Sequence, residues 1–157
     1  MKNYFFILTI TGIFLSACNS NALVDRYHDI PENGWQYEQT ITDSFEVTHP
    51  NHYHTISANL RVTGDYPFAN LHLKVTLTAP DGKSSEYKVP VQLAEKSGKW
   101  LGSGLGNVIT FQLPILHRKL LNQKGKYSIT IAQDMRLETL TSVTAAGIKV
   151  EQQEEIF

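Results

Sequence analysis

The chain has 157 residues with a formal net charge of −1 at pH 7, and 18% of its residues are charged. This length is enough for one domain with a sizeable core. The near-neutral charge does not imply a basic face for nucleic acid, and the one cysteine, Cys18, excludes a disulfide within the chain.

Residues 1–17 are predicted to be a secretory signal peptide. Lys2 precedes an apolar stretch over residues 4–15, and small residues close the segment. As a helix, that stretch would reach about 18 Å, short of the roughly 30 Å hydrocarbon core, so cleavage is the natural interpretation. Leu15-Ser16-Ala17-Cys18 fits a bacterial lipobox. The alternative is an ordinary signal peptide followed by a free thiol.

A lipid on Cys18 would keep the mature protein on a membrane, because two or three acyl chains anchor stably where a single one does not. The lipid bilayer is therefore a predicted partner, and this covalent lipid is the only cofactor predicted. Residues 19–22 contain no acid beside the cysteine, which favours sorting to the outer membrane in a Gram-negative cell. Residues 18–34 are polar and end in Pro31-Glu32-Asn33-Gly34, so they are predicted to be a lipidated tether.

From residue 35 the pattern changes to strict alternation of apolar and polar residues, which predicts half-buried strands over a domain of residues 35–152 and a tail at 153–157. The clearest inward sets are Ile56, Ala58, Leu60, Val62; Leu71, Leu73, Val75, Leu77; Ile109, Phe111, Leu113, Ile115; and Tyr127, Ile129, Ile131. Pro80-Asp81-Gly82 predicts a hairpin turn, and Pro90 predicts an edge strand or a bulge.

The fold class predicted is all-β: an antiparallel two-sheet β-sandwich of seven or eight strands, immunoglobulin-like or jelly-roll-like. A closed barrel is the alternative. Only residues 134–140 have spacing that suits a turn or two of helix, and Gly147 predicts a bulge in the last strand.

Four glycines surround Trp100 in the stretch 98–106, including Gly102 and Gly104. A dinucleotide fingerprint needs a further glycine where Asn107 stands and a helix after it, so phosphate binding is excluded. Two interpretations remain: Trp100 plugs the end of the sandwich, or it is an exposed contact residue.

The connection Asp65 to Leu71 carries Tyr66, Pro67 and Asn70. Its simplest role is to turn the chain and cap the core with Phe68. The functional alternative is a recognition surface that includes Tyr66 and Asn70.

Two further groups contain residue types that occur at chemical sites. His49, His52 and His54 place two imidazoles on one strand face, yet the chain offers them neither a thiolate nor a carboxylate at supporting spacing, so no metal site is predicted. Asp134 and Arg136 suit an ion pair or a cap. With no nucleophile motif or catalytic carboxylate pair, the chain is predicted not to be an enzyme.

Taken in order, these stretches resemble the GldH family of gliding-motility lipoproteins from Bacteroidota. The resemblance covers the whole mature domain and rests on Tyr66 to Leu71, Gly98 to Gly104, Gly125-Lys126-Tyr127, Gln133 to Arg136, Leu140, Gly147-Ile148 and the lipobox.

The resemblance implies an outer-membrane lipoprotein that faces the periplasm and has an accessory role in gliding motility and type IX secretion, carried out through contacts with other envelope proteins. It implies no reaction. Tyr66, Pro67, Asn70, Trp100, Gly102 and Arg136 are thus candidates for partner contact or for defining the fold. The alternative function is a carbohydrate- or ligand-binding β-sandwich lipoprotein that uses Trp100.

Overall fold

The computed structural model describes residues 21–153, and in this range the chain forms strands that all pair antiparallel. The strands are β1 (Ala22–Asp25), β2 (His28–Asp29), β3 (Trp35–Gln36), β4 (Ile41–Val47), β5 (His52–Thr63), β6 (Asn70–Thr78), β7 (Ser84–Gln92), β8 (Ser103–Leu105), β9 (Val108–Leu121), β10 (Gly125–Gln133), β11 (Thr139–Leu140) and β12 (Val143–Gln152).

Two sheets enclose one apolar core, which confirms the predicted antiparallel sandwich. One sheet has the order β1-β12-β5-β9-β8, with β2 also paired to β12, and the other has the order β4-β10-β6-β7. The short strands β11 and β3 form a separate ribbon. More strands are present than predicted because the shortest ones are too brief to show alternation. Pro90 lies on β7, an edge strand, as predicted.

In the stretch 134–140, where a turn or two of helix was predicted, residues 135–138 form bends and residues 139–140 form β11. Gly147 also differs from its prediction: it pairs in register with Asn59, and the register shift falls between Val143 and Ala145. A glycine is needed at 147 for a different reason, since a Cβ atom there would collide with the backbone of Arg26.

The segment predicted to be a tether differs most from the structure. Residues 22–25 and 28–29 pair with β12, and Val24 and Ile30 are buried. The segment can be largely polar because it lies along a sheet edge, where backbone hydrogen bonds to β12 hold it together with a few buried side chains. Cys18 and the predicted signal peptide lie outside the described residues.

The strands define two ends of the sandwich. At the entry end, the Gln152 N–H donates to the Asn21 carbonyl at 3.0 Å, beside the start of β5. At the far end, β5 finishes at Thr63, opposite Val108. The twelve residues of β5 are separated by eleven rises of about 3.3 Å, so the two ends lie roughly 36 Å apart.

Within residues 21–153, no helix has the length and hydropathy needed to cross a bilayer.

Candidate functional site

A groove of about 1320 Å³ opens at the far end of the sandwich. It is lined by residues 36–38 after β3, by residues 134–138 after β10, by Phe68, Asn70 and His72 around the start of β6, and by Lys88 on β7. We call these residues the far-end groove. Two of the stretches singled out in the sequence, 65–71 and 133–136, therefore meet in one place.

The register of the four-stranded sheet explains this meeting. Strands β6 and β10 pair antiparallel with Leu73 opposite Gln133. The chain that enters β6 at Asn70 and the chain that leaves β10 at Asp134 must therefore lie side by side. The Asp134 N–H donates to the His72 carbonyl at 2.8 Å, which joins the two stretches directly.

The 134–138 wall takes its shape from Gln133, which is 1% exposed. Its side-chain Oε1 accepts from the Met135 N–H at 2.8 Å, and its Nε2 donates to the Leu137 carbonyl at 3.0 Å. One buried amide thus satisfies two backbone groups of a loop that has no ladder of its own. The loop is held open in this conformation without helix formation.

The 36–38 wall is fixed by Trp35, which is fully buried and whose indole Nε1 donates to the Gln39 carbonyl at 2.9 Å. The Tyr37 N–H donates to the Glu138 carbonyl at 2.7 Å, so this wall is joined to the 134–138 wall. Gly34, at φ +92°, packs against Thr139 and the backbone of Leu140. With its backbone held in this way, Tyr37 still leaves 45% of its surface exposed.

The floor of the groove rests on the 65–71 connection. Tyr66 is buried, and its hydroxyl donates to the Asn70 carbonyl at 3.0 Å. Burial raises the pKa of the Tyr66 phenol far above its ordinary value, so the hydroxyl remains a donor. The Phe68 ring meets Tyr66 edge to face with centroids 5.7 Å apart. Tyr66 therefore supports the floor from behind.

The groove carries charges of both signs. Lys88 Nζ lies 3.2 Å from Asp134 Oδ2, an ion pair whose lysine is largely exposed. Arg136, Glu38 and Glu138 also line the groove, and in the described part of the chain none of the three has an ion-pair partner. Exposed charged groups without partners are available to another molecule.

Of the six residues proposed from the sequence, Asn70 and Arg136 line the groove, and Tyr66 and Pro67 belong to the connection that supports it. Trp100 and Gly102 lie elsewhere, beside the β8–β9 hairpin. Trp100 is half-buried and its ring meets Phe111 edge to face, with centroids 6.4 Å apart. The Trp100 side chain covers the part of the core that lies beside the β8–β9 hairpin.

Gly102 serves the same hairpin. A Cβ atom there would lie 2.6 Å from the Thr110 carbonyl oxygen and 2.7 Å from the Phe111 ring. The glycine therefore allows the chain beside Trp100 to approach β9 closely.

The three histidines considered as metal ligands, His49, His52 and His54, lie at the entry end. His54 is fully buried, its Nδ1 lies 3.0 Å from the His52 carbonyl, and burial lowers its pKa. The His49 and His52 rings stand edge to face at 6.3 Å. Across residues 21–153 there is no group of three or more side chains placed to hold a metal ion.

Two polar residues that no sequence motif singled out are buried and make contacts with the N-terminal segment. Asp43 is 4% exposed, and its carboxylate lies 3.2 Å from Arg26 Nη1 and 2.8 Å from His28 Nε2. Asn59 is fully buried and donates to Asp25 Oδ1 at 2.7 Å. The burial of Asp43 could have been predicted, because this residue occupies an inward position in the alternating stretch 41–47. Both residues hold the N-terminal segment on the sandwich.

The chain was compared with known proteins. Residues 22–150 match the family model described as GldH lipoprotein. The chain is similar to the gliding motility lipoprotein GldH homolog of Christiangramia forsetii, with 26% identity over 153 residues that span 93% of each chain. It is equally similar to the gliding motility lipoprotein GldH of Flavobacterium johnsoniae, with 26% identity over 155 residues, 94% of this chain and 96% of that one.

Among solved structures, the chain is similar to infectious bursal disease virus VP2 in its subviral particle, with a TM-score of 0.37 and 18% identity. The match covers 81% of this chain and 32% of the viral one, so the chain spans about a third of that protein's length.

Proposed function

Because the chain belongs to the GldH lipoprotein family, we propose that it is an accessory lipoprotein of the gliding-motility and type IX secretion machinery that acts by binding other envelope proteins. In this proposal the protein is anchored by a lipid on Cys18 in the outer membrane and faces the periplasm. It carries no other cofactor and catalyses no reaction. The far-end groove is the surface that receives the partner.

The observation that carries this proposal is the convergence of the 65–71 and 133–136 stretches on one open groove. Protein interfaces combine aromatic and arginine contacts at their centre with a polar rim. The groove offers Tyr37 and Leu137, both more than two-fifths exposed, together with Phe68 and Arg136. Its walls are held by buried groups, so little ordering is required when a partner binds.

A non-catalytic role is supported by the contacts of the polar groups in the groove. The Asp134 carboxylate is engaged by Lys88 at 3.2 Å. The ring of His72 lies 3.3 Å from the Asn70 amide, not beside a carboxylate that would orient it as a base. Neither arrangement activates a nucleophile.

In-cell photo-crosslinking tests the proposal directly. A photoreactive residue placed at Tyr37 or at Leu137 should capture a defined envelope protein of the motility or secretion machinery, identified by mass spectrometry. The same probe at Ser85, an exposed position on β7 outside the groove, serves as the control. Capture of the same protein at all three positions, or of none from the groove, would contradict the proposal.

A deletion strain tests the biological role. Loss of the gene should reduce spreading or the export of type IX cargo, and the wild-type gene should restore it. Normal spreading together with normal export in the deletion strain would contradict the proposed role.

A carbohydrate ligand is the second candidate, because exposed Tyr37 beside Asn70 and Asp134 combines an aromatic ring with polar groups that suit sugar hydroxyls. Glycan binding that is lost in Tyr37→Ala but kept in Trp100→Ala would support it. Crosslinking to one protein partner at Tyr37 would favour the first proposal.

A further inference from the structure

The entry end of the sandwich carries a concentration of positive charge. The stretch 117–126 includes Arg118, Lys119, Lys124 and Lys126 and contains no Asp or Glu. It covers the end of β9 and the start of β10, and Leu121 pairs there with the first residue of β5. The cations are thus gathered beside the place where the described chain begins.

Two exposed apolar side chains lie among these cations. Tyr53 is 37% exposed and Leu120 is 45% exposed, and the two residues are paired across β5 and β9. The Arg118 guanidinium lies 4.7 Å from the centre of the Tyr53 ring. An aromatic ring, an aliphatic side chain and basic groups together form the composition found at membrane interfaces.

The backbone presents Arg118 in an unusual way. Its φ of +47° is in the left-handed region, and β9 contains one extra residue between the positions paired with His54 and Ile56. Such bulges redirect side chains and occur often at functional surfaces. Here the bulge lies in the part of β9 that carries the exposed cation.

Acidic groups also occur at this end. Glu151 is engaged by Lys149 at 2.7 Å and Asp81 by Lys83 at 3.2 Å. Glu46 is exposed on β4. Glu154 and Glu155 follow in the sequence but lie outside the described residues.

The start of the chain locates this surface relative to the anchor. Asn21 is held at the entry end by the hydrogen bond from Gln152. Cys18 comes only three residues earlier, so at most about 11 Å of chain separates the proposed lipid from the folded domain. A link this short keeps the entry end next to the bilayer.

We propose that the entry end docks on an anionic lipid surface, with Tyr53 and Leu120 at the headgroup level and Arg118, Lys124 and Lys126 facing the lipid phosphates. This inference rests on the lipid at Cys18 in the proposed function but not on the groove. Docking adds a second membrane signal to the acyl chains and holds the far-end groove roughly 36 Å above the bilayer. The partner would then reach the groove from the aqueous side.

The test uses the lipidated protein, purified in detergent and reconstituted into vesicles. The lipid thioether occupies the sulfur of Cys18, so an introduced cysteine is the only free thiol. A fluorescent label is placed at Asn122→Cys on the entry end or at Leu105→Cys on the far-end hairpin. Quenching by lipids with a nitroxide in the chain is then compared between phosphatidylcholine vesicles and mixed phosphatidylcholine–phosphatidylglycerol vesicles.

Docking predicts strong quenching at position 122 in the mixed vesicles, weaker quenching there in phosphatidylcholine alone, and little at position 105 in either. Each lysine near an anionic surface changes association by about fivefold, so Lys124→Gln with Lys126→Gln should lower the docked-to-undocked ratio by about 25-fold. The matched control is Lys96→Gln with Lys99→Gln, two exposed lysines in the connection before β8, which should change nothing.

Equal quenching at positions 122 and 105 would overturn the proposal, as would an identical response of the two lysine pairs. Mass spectrometry of the reconstituted protein checks the lipid on Cys18 independently. Missing lipid contradicts the proposed function, whereas lipidated protein without docking contradicts this inference alone.

Discussion

The backbone of Arg26 lies directly against Gly147, so that the N-terminal segment passes over β12 at a position where no side chain fits. The Arg26 N–H donates to the Ile148 carbonyl at 3.0 Å, and β1 and β2 pair with β12 on either side of this crossing. The segment nearest the anchor is therefore fastened to the strand that ends the domain.

Gly147→Ala is expected to destabilise the protein by about 1–3 kcal/mol or more. The added methyl group would meet backbone rather than a flexible side chain, and overpacking of a close-packed site costs about 1–3 kcal/mol or more. Urea unfolding midpoints measure the effect. Gly98→Asn is the control, because nothing lies within 4 Å of a Cβ there and asparagine tolerates the positive φ. Similar midpoints for the two variants would contradict the role given to Gly147.

The buried carboxylate of Asp43 should couple energetically to Arg26. The two side chains are 3.2 Å apart, with Asp43 almost fully buried. Hydrogen bonds to charged groups contribute about 1.5–3 kcal/mol, and the partial exposure of Arg26 reduces this. A double-mutant cycle with Asp43→Asn and Arg26→Gln should give a coupling of about 1 kcal/mol. Strictly additive losses would show that the pair contributes nothing.

Tyr66→Phe should lower stability near pH 8 by about 0.5–1.5 kcal/mol, because the buried hydrogen bond to the Asn70 carbonyl is lost. The sign of this difference should change at high pH. Burial raises the pKa of Tyr66 in the folded state, so the unfolded state loses its proton first as the pH passes about 10. Stability from this group is complete below that pH and falls above it.

Unfolding midpoints of the wild type and Tyr66→Phe between pH 8 and 11 measure this change. The wild type should be the more stable of the two at pH 8, and its advantage should shrink and then reverse above pH 10. Tyr27, whose pKa is also raised by burial, contributes the same slope to both proteins. A constant difference across the range would mean that Tyr66 ionises equally in both states.

The sequence was sufficient for the main strands and insufficient for the groove, for identifiable physical reasons. Alternation located the inward positions of β5, such as Ile56 and Leu60, because one sheet face is buried and the side-chain period is two. It gave no sign of β1, which is fixed by backbone pairing with β12. The helix predicted for residues 134–140 does not form, because the buried Gln133 side chain provides hydrogen bonds to one backbone N–H and one backbone carbonyl of this loop.

Convergence of Asn70 with Arg136 depends on a register between residues about sixty positions apart, with Leu73 opposite Gln133. No local pattern encodes that pairing. Tyr37 and Lys88 were missed for the same reason, since each reaches the groove from a separate element. Local motifs therefore indicated which stretches matter, and only the sheet topology showed which of them meet.

Substitutions in the groove should reduce partner binding without loss of stability. Tyr37→Ala and Arg136→Ala remove exposed side chains, and interface residues of these types often cost more than 1 kcal/mol when truncated, about fivefold or more in affinity. Recovery of the crosslinked partner should fall by at least that factor, and spreading of the complemented strain should fall with it. Glu86→Ala, exposed on β7 outside the groove, is the control. Equal recovery from all three variants would place the partner on another surface.

Cys18→Ala should yield a protein that is made but no longer sediments with membranes. The prediction follows from the lipobox, whose cysteine is the residue that would carry the lipid. Docking through the entry end alone is a weak association, because the three basic residues that face the lipid phosphates contribute about 1 kcal/mol each at low salt and their effect falls with ionic strength. Fractionation at low and high salt therefore distinguishes lipid anchoring from docking through the entry end.

Wild-type protein should remain in the membrane fraction at both salt concentrations, whereas Cys18→Ala should show residual sedimentation only at low salt. Salt-resistant sedimentation of Cys18→Ala would show that an uncleaved signal segment, rather than a lipid on this cysteine, is the anchor.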